Sequence, residues 1–486
     1  MSVELPLSAS PPTSYGAAPK VLFNITHGFQ ARMLLRSAIA DSLLARGTRL
    51  VIVSHSSREP YFQQEFTHPQ IALEPMPERF SRVEGNLITL RQYMLMNPSL
   101  GGTLNYKNEA FRRGAPKRYW LSRAANTVLG RIAFLRRAYI AAEAALFRGA
   151  EFDTIIDEHR PNLIVTGTPG YNRNDIHLLR AAKRKGIPTA TVMLSWDNLT
   201  SKGYMGGVPE HLLVWSDLMA DEAATYHNYP RERIRWCGAA QFDHYSGFRD
   251  RFDRAAWRRQ HGIPEGSPLI VYGTINPGVL GHELNILKQI VAAINAGSIQ
   301  PRPYLWIRLH PQVVRGFYSL SLEPFRALAG PNVRVEEPPV QSDKLAWDLP
   351  RDDATHLAQL MAAGDIVVTT SSTLSIDAAC AGTPIINVFF DGDPPVHEAQ
   401  SARRFMHYTH YSQLLETGGI AQAMSIDDFV RMANAYIKNP QLDHEGREAI
   451  IRQQLNLLDG QAGVRTADLL WQLASAAQGQ RAKHSK

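Results

Sequence analysis

Eleven short runs of Val, Ile, Leu and aromatic residues punctuate the chain, and most show no polar alternation. VLFNIT (21–26), LVIVSH (50–55), NLIVTG (162–167), TATVML (189–194), HLLVWS (211–216) and IRWCG (234–238) form a first block. LIVYGTI (269–275), YLWIRLH (304–310), VRVEEP (333–338), DIVVTT (365–370) and PIINVFF (384–390) form a second. A run that is apolar throughout belongs to a strand covered by helices on both faces. Helical patterns follow each run, and the two blocks are separated by the polar, Arg-rich FRDRFDRAAWRRQHGIPEGS. This rhythm predicts an α/β chain of two doubly wound, parallel-sheet, Rossmann-like domains facing across a cleft.

The expected divisions are a floppy leader over 1–19, a first domain over 20–245, a second over 246–458 and a terminal segment over 459–486. Residues 56–150 are too helical and basic for a plain strand–helix unit, so a helical insertion is expected there. With 486 residues and 44% hydrophobic content, the chain can bury two cores. No apolar stretch approaches the roughly 20 residues of a membrane span. MSVELPLSASPPTSYGAAPK lacks the basic and apolar regions of a secretory signal. Cys237 and Cys380, far apart in apolar contexts, read as buried free thiols of a reducing cytoplasm.

The net charge of +7 is unevenly spread. Between Arg112 and Arg148 stand nine Lys or Arg residues against one acid, Glu143, with apolar residues at helical spacing. Such a helix either packs on its own domain or lies on an anionic membrane, here the inner face of the cytoplasmic membrane. No nucleic-acid module accompanies the charge, so nucleic acid is not an expected partner.

Ligands of open parallel sheets bind beyond the carboxyl ends of the strands. IVVTTSSTLSIDAACAGTP (366–384) puts four hydroxyls, Thr369 to Ser372, where a strand meets a helix. One would suffice to cap that helix; four point to an anion held by backbone N–H groups and by Ser371, Ser372 and Thr373. Asp377, about a turn inside, is placed to meet a ribose hydroxyl. IRLHPQ ends another strand on His310, a second donor to phosphate.

The run RLHP, then TTSS with its Asp, then GTPIINV resembles the C-terminal half of GT-B-fold transferases. It is most similar to the CDP-glycerol glycerophosphotransferase and capsular polysaccharide branch. IRWCGAAQFD resembles the segment leading into that family's interdomain linker. LLDGQAGVRTADLLWQL resembles the run before its last helix, which crosses back to the first domain. The resemblance covers roughly residues 205–475. It implies that His310 and Ser372 contact phosphate, that Ser371 supports them and that Asp377 meets the ribose or base. Thr274, in VYGTINPG, is added as a nucleotide-loop contact.

The first domain must then supply the acceptor side. In NITHGFQ, His27 stands where strand turns to helix; a helix N-terminus would lower its pKa and make it the candidate base. LSWDNLTSKG gathers Trp196, Asp197, Asn198 and Lys202, with Asp197 the runner-up base and the others a sugar platform. GTPGYNRND (167–175) is given no role. Asp391-x-Asp393 reads as a post-strand turn rather than a metal site. No metal or other cofactor is expected beyond the activated donor, since Cys/His zinc spacing, GxSxG, GxxxxGK[ST] and GxGxxG are all missing.

The expected activity is transfer of a sugar, or a polyol phosphate, from a nucleotide-activated donor such as a nucleotide-sugar or CDP-polyol. The acceptor would be a glycan or lipid-linked acceptor of the cell envelope or capsule. Two alternatives stand beside it. A nucleotide-sugar 2-epimerase, which resembles the same fold, would use groups such as His282 and Glu283. A non-catalytic nucleotide-binding subunit of a glycan assembly complex would bind without turnover.

Overall fold

The computed structural model describes residues 18–78, 81–93, 103–109, 111–315 and 321–484. The first block builds β1 (Lys20–Ile25), β2 (Arg49–Ser54), β3 (Ile71–Pro75), β4 (Leu163–Thr166), β5 (Thr189–Val192), β6 (His211–Val214) and β7 (Ile234–Trp236). The second builds β8 (Leu269–Gly273), β9 (Tyr304–Arg308), β10 (Val333–Glu336), β11 (Ile366–Thr369), β12 (Ile385–Val388) and β13 (Ala421–Ala423). Every pairing is parallel.

The seven-stranded sheet runs β3-β2-β1-β4-β5-β6-β7 and the six-stranded sheet β10-β9-β8-β11-β12-β13. Each sheet thus begins in its middle, winds outward to one edge, then crosses back and winds to the other. The central strands are buried along almost their whole length, as fully apolar runs require.

Residues 56–150 are not wholly a helical insertion. Their first part returns to the sheet as β3, whose residues Ile71 to Pro75 pair with Leu50 to Ser54 of β2. IALEP hides as a strand because it lies at the sheet edge, half-buried, with Glu and Pro among its five residues. The helices come after it, including Pro116–Ala125 and Ala133–Leu146. β13, three residues long, also carries too little apolar pattern to be read.

The Arg-rich stretch between the sheets has a structural task. Arg254 and Arg258 donate to the Ala363 carbonyl, Arg254 also to that of Gly364, and both pair with Asp365. They satisfy the open C-terminal carbonyls of helix Asp353–Ala363 just before β11. At the far end, helix Ala462–His484 packs against helix Ala38–Ala45, and its Ala467, Leu470 and Ala474 join the core of the first sheet. Cys237 and Cys380 are buried free thiols.

The segment between β10 and β11 reaches across to the first lobe. Arg36 donates to the Asp348 carboxylate at 2.5 Å, and Tyr61 also hydrogen-bonds it. Ser342 and Ser56 share a hydrogen bond of 2.8 Å, and the Gly28 N–H donates to the Ala346 carbonyl at 2.8 Å. Gly28 has no room for a side chain, since a Cβ there would lie 2.3 Å from the Asp348 nitrogen.

Candidate active site

Strand order reverses direction between β1 and β4 in one sheet and between β8 and β11 in the other. Loops leaving such neighbours diverge and leave a crevice. A chamber of about 760 Å³ opens there between the lobes, a volume that suits a nucleotide-sized ligand. It brings together His27, Trp196, Asp197, Asn198, Lys202, His310, Ser371, Ser372 and Thr373. Thr274 and Asp377 instead line a side cavity of about 150 Å³ that shares His310, Ser372 and Thr373 with the main chamber.

The four-hydroxyl run divides. Thr369, on β11, is buried and donates to the Gly273 carbonyl at 2.9 Å; Thr370 is also buried. Ser371, Ser372 and Thr373, past the strand, reach the chamber. Ser372 does help to cap the following helix, its Oγ accepting from the Leu374 N–H at 3.2 Å. Its hydroxyl proton is left to donate elsewhere. The three hydroxyls expected to hold an anion, Ser371, Ser372 and Thr373, are the ones that reach the chamber, while the first two of the run are spent on the core at the end of β11.

His310 and His27 are built alike. Each caps a short helix, with Nδ1 accepting a backbone N–H at 3.2 Å: Gln312 for His310 and Phe29 for His27. Burial pushes His310 down to about 3, with His27 adding to the effect, and pushes His27 down to about 4, helped by Lys202. Both rings are neutral at pH 7. The cause is burial rather than the helix end that the sequence suggested.

A neutral imidazole whose Nδ1 accepts must carry its proton on Nε2. Both residues line the chamber, and each carries its proton on Nε2. His27 as it stands is thus a hydrogen-bond donor, and acting as a base would require it to change tautomer. Trp347 touches both rings, edge-on to His27 at 4.6 Å and to His310 at 4.8 Å. Trp347 holds φ of +62°, a left-handed conformation that a bulky residue seldom adopts.

Thr274 supports this arrangement from behind. Its Oγ1 accepts the His310 backbone N–H at 2.7 Å, fixing the loop that carries the ring. Asp377 is buried, bonded to the Tyr245 hydroxyl at 2.9 Å, and pushed up to about 6 by burial, with Arg32 opposing. The side cavity leads from it toward the main chamber.

On the acceptor side, Asp197 accepts from Ser195 at 2.7 Å and Ser201 at 2.5 Å and lies 3.5 Å from Lys202. Burial would raise its pKa, but Lys202, His410 and the two serines together hold it far below the usual carboxylate range. Its charge is therefore permanent, and its appetite for a proton small. Trp196 is only 6% exposed, edge-on to His410 at 4.9 Å and Tyr411 at 5.7 Å. Its ring mainly seals the lobes together, which leaves little of it for sugar stacking. Asn198 is buried in the wall, and Lys202 is about half exposed.

Several chamber residues escaped the sequence reading. Tyr171, Asn172, Arg173 and Asn174 come from GTPGYNRND, whose place after β4 was the available signal. Asn172 also donates to Asp175 at 2.7 Å, in a buried network with Asn24 and Thr168. Asp391 accepts from His282, Ser401 and the Ala402 N–H, and Asp393 from Gln289, so the Asp-x-Asp pair is spent on a turn. Glu283 accepts from Tyr272 and the Ile275 N–H inside the second core, outside the chamber.

No family model matches the chain, and no curated protein matches it. Solved structures match nearly its whole length. The S. aureus MnaA–UDP co-structure is 12% identical, covers 92% of this chain and 94% of its own, and has a TM-score of 0.52. UDP-GlcNAc 2-epimerase from Neisseria meningitidis, bound to UDP-GlcNAc, is 11% identical over 93% of this chain and 100% of its own, with a TM-score of 0.51. A glycosyltransferase from Rickettsia africae ESF-5 is 11% identical over 94% and 98%, with a TM-score of 0.50. At these identities the likeness is one of fold, and the fold is GT-B-like.

Proposed function

We propose that this chain is an enzyme that holds a nucleotide-activated sugar, or a CDP-polyol, in the interlobe chamber and transfers the activated group to a glycan or lipid-linked acceptor of the cell envelope or capsule. The observation that carries this reading is the convergence of two neutral histidines and the Ser371–Ser372 hydroxyls on one chamber. They supply fixed donors where a diphosphate would gather charge as its bond breaks, and preorganised donors of this kind give large rate effects. The matched structures that hold UDP or UDP-GlcNAc support a nucleotide-sugar as the donor.

In this reading His310 and Ser372 bind the diphosphate, Ser371 and Thr373 complete the anion cradle, and Thr274 positions His310. Asp377 lies at the ribose side. His27 becomes a second phosphate donor rather than the base. Asp197, always ionised, hydrogen-bonds the incoming hydroxyl and takes its proton late, once the new bond has made that proton strongly acidic. Asn198 and Lys202 orient the acceptor.

The second reading is a nucleotide-sugar 2-epimerase, favoured by the fold it shares with the matched epimerases. Its candidate acid Glu283 is held by Tyr272 and Ile275, and His282 by Asp391, which counts against it. Incubation with a UDP-sugar and no acceptor separates the two, because only the epimerase returns an isomeric sugar nucleotide. Binding without turnover across a donor panel would instead mark a non-catalytic subunit. For the transferase, His310→Ala and Ser372→Ala should each lower donor turnover by about 10²-fold while leaving the fold intact. Unchanged turnover in both removes the assignment.

A further inference from the structure

A second chamber of about 740 Å³ adjoins the first and shares Tyr171, Lys202 and Val279 with it. Its walls come from the helices after β3, including Lys107 and Arg118, and from the second lobe, including His282 and Arg404. Among its described lining residues are four Lys or Arg side chains and no acid.

Two of these cations, Arg404 and Lys107, make no ion pair with a carboxylate among the described residues. Arg404 donates to the carbonyls of Gln400, Ser401 and Val279 and lies 3.3 Å from the Tyr408 hydroxyl, all neutral partners. Lys107 donates to the Ser201 carbonyl at 3.0 Å. Burial and then the neighbouring Lys202 push Lys107 down to about 8, with the Asp197 charge opposing them. Asp197 answers Lys202 from the side of the first chamber.

We propose that this second chamber is a binding site for a phosphate- or diphosphate-bearing ligand, gripped by Arg404 and Lys107. Guanidinium and ammonium donors without carboxylate partners are the groups that recognise phosphate. The shared wall lets a ligand anchored here extend a hydroxyl toward Asp197 and Lys202. Such a ligand is an acceptor already carrying phosphate, and calling it an acceptor rests on the function proposed above; the binding itself does not. The phosphate belongs either to a soluble sugar phosphate or to a lipid. Helix Pro116–Ala125, which carries Arg118 into the chamber, also exposes Trp120 by 66% and Leu121 by 64%, as a lipid-borne ligand would require.

The test is calorimetric titration of inorganic pyrophosphate into the full chain, with and without a saturating nucleoside diphosphate. A pyrophosphate site that survives nucleotide, and that Arg404→Gln with Lys107→Gln weakens about tenfold or more, supports the proposal. Arg404→Lys should restore part of the affinity, and thermal melting checks that each variant folds. Ser372→Ala should leave this site in place. If the nucleotide fails to bind while the pyrophosphate site persists, the proposed function fails and this site stands.

No pyrophosphate binding to the wild type, or binding untouched by the double substitution, overturns the proposal. Flotation with phosphatidylcholine vesicles containing about one fifth phosphatidic acid then reads the source. Flotation lost in Arg404→Gln identifies a lipid phosphate, and pyrophosphate binding without flotation identifies a soluble one.

Discussion

His27 and His310, 283 residues apart in the chain, both sit edge-on against the Trp347 indole with their Nδ1 atoms tied to backbone N–H groups. One comes from the loop after β1 and the other from the loop after β9, so the two sheets jointly create a pair of Nε2–H donors. Neither lobe could form it alone.

Trp347, in edge-on contact with both rings, braces them against each other. Trp347→Ala should cost about 2 kcal/mol of stability, less than a fully buried Trp because the site is partly open. Donor turnover should fall further than stability alone explains. Steady-state kinetics with a melting curve checks this; unchanged turnover would show that the rings need no such brace.

Burial of His27 has a consequence for stability. Its folded pKa of about 4 lies below the ordinary value near 6.5. Between these values the unfolded chain binds more protons, so this residue destabilises the fold as pH falls through that window, and has no such effect above it. The wild type should therefore lose about 2–4 °C relative to His27→Gln between pH 6.5 and 4.5. Parallel melting profiles across that range would contradict the burial.

The clasp between lobes centres on Asp348, buried against Arg36. Asp348→Ala leaves that guanidinium without one of its two carboxylates, and such a loss costs about 3–5 kcal/mol. Denaturant unfolding measures it, and limited proteolysis should cut the 339–352 segment sooner. A loss below about 1 kcal/mol would mean that the clasp is surface-like.

Gly28 tests the same contact without removing a charge. A Cβ 2.3 Å from the Asp348 nitrogen forces the backbone apart, so Gly28→Ala should destabilise by about 1–3 kcal/mol and raise the KM for donor. Wild-type behaviour would show that the lobes sit farther apart in solution.

The sequence disclosed what local pattern encodes. Strands buried on both faces declare themselves as unbroken apolar runs, and the loops after them are where ligands bind in such sheets. The place of His310, Ser372 and Asp197 at the chamber was therefore legible. Trp347 was not, because its segment has no periodicity and its place depends on docking against His27 of the other lobe. The depth of Thr369 and Thr370 was hidden for a related reason: a hydroxyl run looks uniform, but the strand end turns some of it inward. Trp196 read as a sugar platform because sequence cannot show that His410 and Tyr411, over 200 residues away, cover it. β3 was concealed by its short, half-polar edge sequence.

The most direct measurement is the dissociation constant of nucleoside diphosphates, CDP, UDP and GDP, for the wild type and for His310→Ala with Ser372→Ala. The account expects at least one of them to bind the wild type and to bind the double variant about 10²-fold or more weakly, with the fold unchanged. Equal affinity in both proteins, or no binding of any of the three to the wild type, would contradict it.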